Sequence, residues 1–218
     1  TGEIDLSNSQ PGNYEISYEV TSIIQLGSDI SSNSTDLITL ANGVSINNTG
    51  NKIAVGFPWS NSTDGFSRIY VWNGSDWNQQ GNNVRYGGSD ARSGECLAFD
   101  DDGDVFVSAK PRWCSSHGFT GAVRAFEWNG SSWVNKGSPI LSDLGNINED
   151  GYELKLNANG DILAIAVKKD NSNSNIKSQV KIFEWDNATS DWIQRGSTLE
   201  GENFGDEFGN SISLNSTG

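Results

Sequence analysis

The 218-residue chain has no methionine, one histidine, two cysteines and only 14 lysines and arginines to set against 28 acidic residues. Each scarcity removes a class of protein. A net charge of -14 leaves no Lys/Arg stripe to displace counterions, which argues against nucleic acid or an anionic membrane as partner. The solitary His117 has no second imidazole with which to build a metal site, and no Gly-x-Ser-x-Gly elbow accompanies it. No apolar run approaches the roughly 18 residues of a membrane span, and no basic-then-apolar leader opens the chain. Helices are unsupported too, since no window carries apolar residues at three-and-four spacing with caps. The missing methionine, an initiator included, leads us to expect a processed chain or a segment of a longer one.

What the chain does contain is repetition. Val71 to Gly81 reads VWNGSDWNQQG, Phe126 to Gly137 reads FEWNGSSWVNKG and Phe183 to Gly196 reads FEWDNATSDWIQRG. The closing glycines Gly27, Gly81, Gly137 and Gly196 are separated by 54, 56 and 59 residues, and head plus tail supply a further 49. A period of this length marks a module repeated four times, with the fourth copy split between the termini. The expected modules are 28–81, 82–137, 138–196, and 197–218 joined with 1–27.

Within a module the pattern is that of four strands. A first strand ends in a turn, VSINNTGN from Val44, LAFDDDGD from Leu97, LKLNANGD from Leu154 and ISLNSTG from Ile212, in which Gly50, Gly103, Gly160 and Gly218 supply positive φ. Small, nearly continuous apolar strands follow (KIAVG, VFVSA, ILAIA), as expected of strands buried on both faces. The third strand alternates, placing Tyr70, Phe126 and Phe183 in one column and Trp72, Trp128 and Trp185 on the same face. Trp77, Trp133 and Trp192 begin the fourth.

A four-stranded antiparallel sheet with one aromatic face cannot stand alone, so adjacent modules must cover one another's rings. Radial stacking does this, and the expected fold is an all-β, four-bladed β-propeller of four-stranded antiparallel blades. Asn13 to Gly27 aligns with third and fourth strands, with Tyr18 in the Tyr70 column and Ile23 in the Trp77 column. The last blade is therefore shared between the two ends of the chain, closing within one chain or completed by the next. Asp5 departs from the pattern, falling where modules one and two have Ile53 and Phe106.

The copies resemble FG-GAP-type β-propeller repeats, in particular the calcium-free variety arrayed in extracellular proteins of bacteria and algae. Phe208-Gly209 stands at the FG position, and Val55-Gly56-Phe57-Pro58 and Ser108-Ala109-Lys110-Pro111 stand near the GAP. Module three has Ile165-Ala166-Val167-Lys168 there, without proline. In integrin-like members the first turn carries a calcium loop. Only Asp100, Asp102 and Asp104 are acidic enough to suggest one, and the turns at Asn47 and Asn157 are too short and neutral for six to eight oxygen ligands. No metal or other cofactor is expected.

Asn-x-Ser/Thr acceptors occur at Asn33, Asn47, Asn61, Asn73, Asn129, Asn187 and Asn215. Asn73, Asn129 and Asn187 recur in the same hairpin of successive modules, where N-linked glycans would project into water. Cys96 and Cys114 fit a local disulfide in an oxidising compartment, the alternative being two buried thiols. Carboxylate pairs such as Glu149-Asp150, or Glu202 with Asp206 and Glu207, fall in linkers and hairpin approaches expected to be solvated, so no enzyme is expected.

Two functional classes remain. One is a structural extracellular glycoprotein, a secreted or cell-surface module of a coat, fibril or flagellar-hair-like filament that self-associates or joins neighbouring propellers. The other is a carbohydrate- or protein-binding adhesion module, using the loops Phe57-Pro58-Trp59 and Pro111-Arg112-Trp113, with Trp59, Arg112 and Trp113 as ligand contacts.

Overall fold

The computed structural model describes residues 24–30, 43–58, 65–85, 93–110, 122–141, 152–167 and 177–218. All the regular structure among them is strand, arranged as three antiparallel sheets. Module one contributes β1 (Val44–Ile46), β2 (Lys52–Phe57), β3 (Phe66–Trp72) and β4 (Trp77–Gln79), hydrogen-bonded in that order. Module two contributes β5 (Cys96–Phe99), β6 (Val105–Lys110), β7 (Ala122–Trp128) and β8 (Trp133–Asn135), with β9 (Ile140–Leu141) beside β7. Module three repeats the plan with β10 (Tyr152–Leu156), β11 (Ile162–Val167), β12 (Gln179–Asp186) and β13 (Asp191–Gln194), and β14 (Leu199–Glu200) lies beside β12.

The aromatic columns read from sequence are the registers observed. Ile53 opposes Tyr70, Phe106 opposes Phe126 and Leu163 opposes Phe183. Each hairpin between the third and fourth strands brings a Trp pair face to face across the ladder, Trp72 with Trp77, Trp128 with Trp133 and Trp185 with Trp192, at ring separations of 5.4, 5.5 and 5.6 Å. Tilted or edge-on rings at such distances are the favoured aromatic contact.

The first hairpin of each module is held by one buried polar side chain. Asn47 Oδ1 accepts from the backbone N–H of Asn51 and Lys52 at 3.0 and 2.9 Å, and Asn157 Oδ1 from Asp161 and Ile162 at 3.0 and 2.9 Å. Asp100 does the same for Asp104 and Val105 at 3.1 and 3.2 Å. These side-chain caps mimic a backbone turn, and the glycine that follows, at φ of 71°, 68° or 65°, adopts the left-handed conformation the reversal requires.

The turns also tie the modules together. Asn48 N–H donates to the Asp101 carbonyl, Asp101 N–H to Ala158 and Ala158 N–H to Ser216, at 3.1, 3.1 and 3.2 Å. Four equivalent turns thus stand in sequence order, the last being Asn215 to Gly218, whose Asn215 Oδ1 accepts from Thr217 and Gly218 N–H at 3.0 and 2.9 Å. The segment from Ile212 that leads into this last turn, expected as a strand, is not one. Its expected partners at residues 1–23, Tyr18 and Ile23 included, lie outside the described residues.

Hydrophobic cores form between modules. Ala54 and Ile69 of module one pack with Val84, Phe99, Phe106 and Phe126 of module two. Ala98, Val107, Ala109, Val123 and Ala125 pack with Leu154, Leu163, Ile165, Val167 and Trp192 of module three. The central strands are covered on both faces as their composition implies, and every residue of β11 is buried. Beyond Gly81, Gly137 and Gly196 the chain doubles back onto the sheet it has just left. Val84 bridges Ser67, Ile140 pairs with Val123 and Leu199 with Val180, because the fourth strand is too short to cover the length of the third.

Modules also meet backbone on backbone. A Cβ on Gly56 would collide with the carbonyl oxygen of Gly94, and one on Gly209 would fall 2.9 Å from the Ala166 Cβ. Gly94 and Gly209 occupy equivalent places, Gly94 against β2 and Gly209 against β11. We therefore predict that Gly56→Ala lowers stability by about 1–3 kcal/mol, the range for overpacking, as read from the urea midpoint at unchanged m-value.

Candidate functional site: the tryptophan joints

The chemistry of this chain is concentrated where one module meets the next. At each junction a loop ending in a closing glycine enters the Trp pair of the following module. Trp77 Nε1 donates to the Leu26 carbonyl, Trp133 Nε1 to Gln80 and Trp192 Nε1 to Lys136, at 3.1, 3.2 and 3.0 Å. The next residue is a glycine at φ of 75°, 74° or 76°. A Cβ there would come within 2.8 Å of the Trp72 ring from Gly27, 3.0 Å of Trp128 from Gly81 and 2.8 Å of Trp185 from Gly137. Both the backbone conformation and the space demand glycine.

A carboxylate completes two of the three sockets. Asp76 Oδ1 accepts from Ser28 N–H at 2.9 Å and from Trp77 N–H at 2.9 Å. Asp191 Oδ1 accepts from Ser138 and Trp192 N–H at 2.8 and 2.9 Å. Ser132 holds the corresponding place before Trp133. The Ser28 N–H, then that of Trp77, hold the Asp76 carboxyl below its ordinary range, and the Ser138 N–H does so for Asp191. In the third joint the Lys136 ammonium also sits 4.4 Å from the Trp185 ring centre, a cation–π contact.

The loop that closes module three has the same internal form. Gln194 Nε2 donates to the Gly196 carbonyl at 3.1 Å, as Gln25 does to Gly27 at 3.2 Å and Gln79 to Gly81 at 2.9 Å. Gly196 shares the φ of 75°, and among the described residues nothing lies within 4 Å of its Cβ position.

Beside the first joint lies a cleft of 270 Å³ lined by Ser28, Asp29, Ile30, Arg68, Tyr70, Asp76, Trp77 and Gln79. Arg68 donates from Nε to Asn83 at 2.9 Å and lays its guanidinium over Phe57 and Phe66 at 5.2 and 4.9 Å. The cleft is smaller than the usual drug-sized pocket and offers aromatic edges with carboxylate, amide and guanidinium groups, the combination that suits a small polyhydroxylated ligand.

Of the residues singled out by sequence, Asn73, Asn129, Asn187 and Asn215 are exposed in turns. Asn73 and Asn129 accept at Oδ1 from turn N–H groups, and Asn187 from Trp185 Nε1. Asn47 differs, being 5% exposed and donating from Nδ2 to Thr49 and Asn51 at 3.0 and 2.9 Å. A glycan on that nitrogen would have to break the turn. Cys96 is half-buried in β5, while Asn33, Asn61, Trp59, Arg112, Trp113, Cys114 and His117 lie outside the described residues. Asp100, Asp102 and Asp104 do not converge on a cation. Asp100 caps its own turn and Asp104 pairs with the Lys52 ammonium at 2.6 Å, and among the described residues no cluster of three metal-ligating side chains forms. Nor, among them, is any helix long and apolar enough to cross a membrane.

The carbonyl latches and the Asp76 and Asp191 caps were not picked out from sequence. Their traces are the Asp-Trp steps at 76–77 and 191–192 and the Gln-x-Gly-Ser runs at 25–28 and 194–197.

No protein-family model matches the chain, and no curated protein matches it. Among solved structures, a candidate 6-phosphogluconolactonase from Bacteroides uniformis is 12% identical over 83% of this chain and 47% of its own, with a TM-score of 0.48. Prolyl oligopeptidase B from Galerina marginata is 11% identical over 71% of this chain and 22% of its own, at 0.44. TolB from Acinetobacter baumannii is 12% identical over 67% and 30%, at 0.36. The chain spans about half or less of the length of each.

Two predictions follow from the joint and the caps. Trp192→Phe keeps an aromatic ring but leaves the Lys136 carbonyl without its donor and a small cavity in the core, and costs about 1–3 kcal/mol in equilibrium unfolding. The acid response carries two signs. Asp76, Asp191 and Asp206, the last held low chiefly by the Asn203 N–H, bind fewer protons folded than unfolded. Their contribution is complete above the unfolded value of about 3.9 and is lost as pH falls through their lower folded values. Burial raises the Asp100 carboxyl, so its charge opposes folding at neutral pH and its protonation favours it. Asp100→Asn, which copies Asn47 and Asn157, raises the thermal midpoint at pH 7, and the gap from wild type closes as the pH falls through the folded Asp100 pKa.

Proposed function

We propose that this chain is a non-catalytic structural glycoprotein module, secreted or at the cell surface, that builds a coat or filament through contacts between propellers. Its modules are of the FG-GAP type and form a four-bladed ring whose last blade is shared between residues 197–218 and 1–27. The observation that carries the reading is the placement of Asn73, Asn129 and Asn187, three acceptor sites exposed at the same hairpin of three successive modules. Sugars there would coat one rim without touching the joints. The side chains with the most ordered environments, the Trp pairs and Asp76 and Asp191, are engaged in holding modules together and not in a reacting centre.

Production in a glycosylating secretory host, with peptide mapping after enzymatic release of glycans in oxygen-18 water, tests this. Asn73, Asn129 and Asn187 are expected to carry glycan and Asn47 to remain unmodified, because its amide is buried in the turn. Unmodified asparagines at all three hairpins would remove the reading.

The cleft beside the first joint favours a second reading, an adhesion module that binds a saccharide between Tyr70, Trp77, Asp29 and Gln79. Under it, exposed Gln79→Ala lowers retention on a glycan array at least tenfold while leaving the melting midpoint in place.

A further inference from the structure

The repeated joint leaves one of its halves over. Four loops of this chain end in a closing glycine, at Gly27, Gly81, Gly137 and Gly196. Among the described residues three Trp pairs receive such loops, made by six of the 8 Trp residues, and the other two, Trp59 and Trp113, lie outside the described residues. The first three loops are seated. The fourth, Gln194-Arg195-Gly196-Ser197, has the same glycine φ and the same glutamine brace, and meets no Trp pair among the described residues. At the corresponding position the split module has Ile23, which has no N–H on its side chain to offer the Arg195 carbonyl.

The chemistry of the fourth loop selects among the sockets. It presents a cation, a glycine and a serine in succession, as Lys136-Gly137-Ser138 does in the third joint. There the cation rides on a Trp ring and the serine N–H meets Asp191. The first socket, Trp72, Asp76 and Trp77, has the same Trp-carboxylate-Trp composition, whereas the second has Ser132 in place of the acid. Its present occupant, Gln25-Leu26-Gly27-Ser28, offers no cation, belongs to no strand and leaves Ile24 and Leu26 76% and 64% exposed. The fourth loop is instead anchored at both ends in one sheet, by β13 and β14 paired along the same edge of β12. A loop held in its binding conformation forfeits less entropy on docking.

We infer that the loop Gln194 to Ser197 docks into the Trp72–Asp76–Trp77 socket of a second copy of this chain, displacing that copy's own Gln25 to Ser28. The Trp77 indole of the second copy then donates to the Arg195 carbonyl, Asp76 accepts from Ser197 N–H, and the Arg195 guanidinium lies over Trp72. Loop and socket are different surfaces of the same chain, so the contact is head-to-tail and propagates into a fibre unless its rotation closes a ring. Seating the loop opens the second copy's own closure at Gln25 to Ser28, so the contact belongs to the form of the assembly reading in which the split blade is completed between chains, and it rests on that reading.

Cysteine trapping tests it. In a Cys96→Ala, Cys114→Ala background, one chain carries Ser197→Cys and another Asp76→Cys, and the two are mixed under mild oxidation. A Ser28→Cys, Asp76→Cys chain is the control for reactivity, since Ser28 N and Asp76 Oδ1 are 2.9 Å apart. The expected result is a mixed disulfide dimer well in excess of either homodimer. Gly196→Asn in the first chain, which tolerates the backbone conformation but adds a side chain where the joint has no room, should reduce it at least tenfold without moving the melting midpoint. A closed control with no mixed dimer overturns the proposal, as does a mixed dimer indifferent to Gly196→Asn. Oligomers seen in sedimentation velocity without the mixed dimer overturn this joint but leave the assembly reading standing. A monomer at every concentration removes both.

Discussion

The structure depends on covering an aromatic sheet face with the neighbouring module. A single four-stranded sheet carrying Tyr70, Trp72 and Trp77, or Phe126, Trp128 and Trp133, leaves one side wet, and no element within the module can cover it. The answer used three times is a loop whose glycine slides between two indoles while the carbonyl before it takes an indole N–H. Burial and hydrogen bonding are achieved together, so the indole brings its large apolar surface into the joint without stranding its donor.

Around that joint, ionisable groups serve as turn and loop caps. Asp76 and Asp191 each bind the N–H of the serine that opens their own module together with that of the Trp that follows them, and Asp206 caps the loop from Asn203 to Phe208. Asp100 does a buried version of the same task at a turn where two sister modules use asparagine. The strongly acidic composition is thus partly architectural: some carboxylates hold N–H groups that would otherwise lie unpaired at module boundaries.

Much of this was legible in the residues. Alternation in RIYVW, RAFEW and KIFEW places Phe and Trp on one face, and the structure pairs those columns as expected, down to the facing Trp pairs. The positive φ at Gly50, Gly103 and Gly160 was equally open to reading, since a tight reversal after Asn or Asp needs it. The joint was not. Trp77 and Leu26 are 51 residues apart, and no local pattern says that an indole will find that carbonyl. The burial of Asn47 was hidden for the same reason. As a sequence it is a glycosylation acceptor like Asn73, and only the turn it caps, stacked on Asp101 and Asp102 of the next module, takes its amide out of solvent.

By itself the sequence determined the module, because strand alternation, turn glycines and paired aromatics are properties of a few neighbouring residues acting through local sterics and one-sided burial. Only the tertiary structure decided which glycine enters which Trp pair, which carboxylate caps which loop, and that one prepared loop meets no Trp pair among the described residues. Those are relations between surfaces some fifty residues apart, set by how whole sheets stack against one another, and no residue's chemistry names its partner before the sheets are brought together.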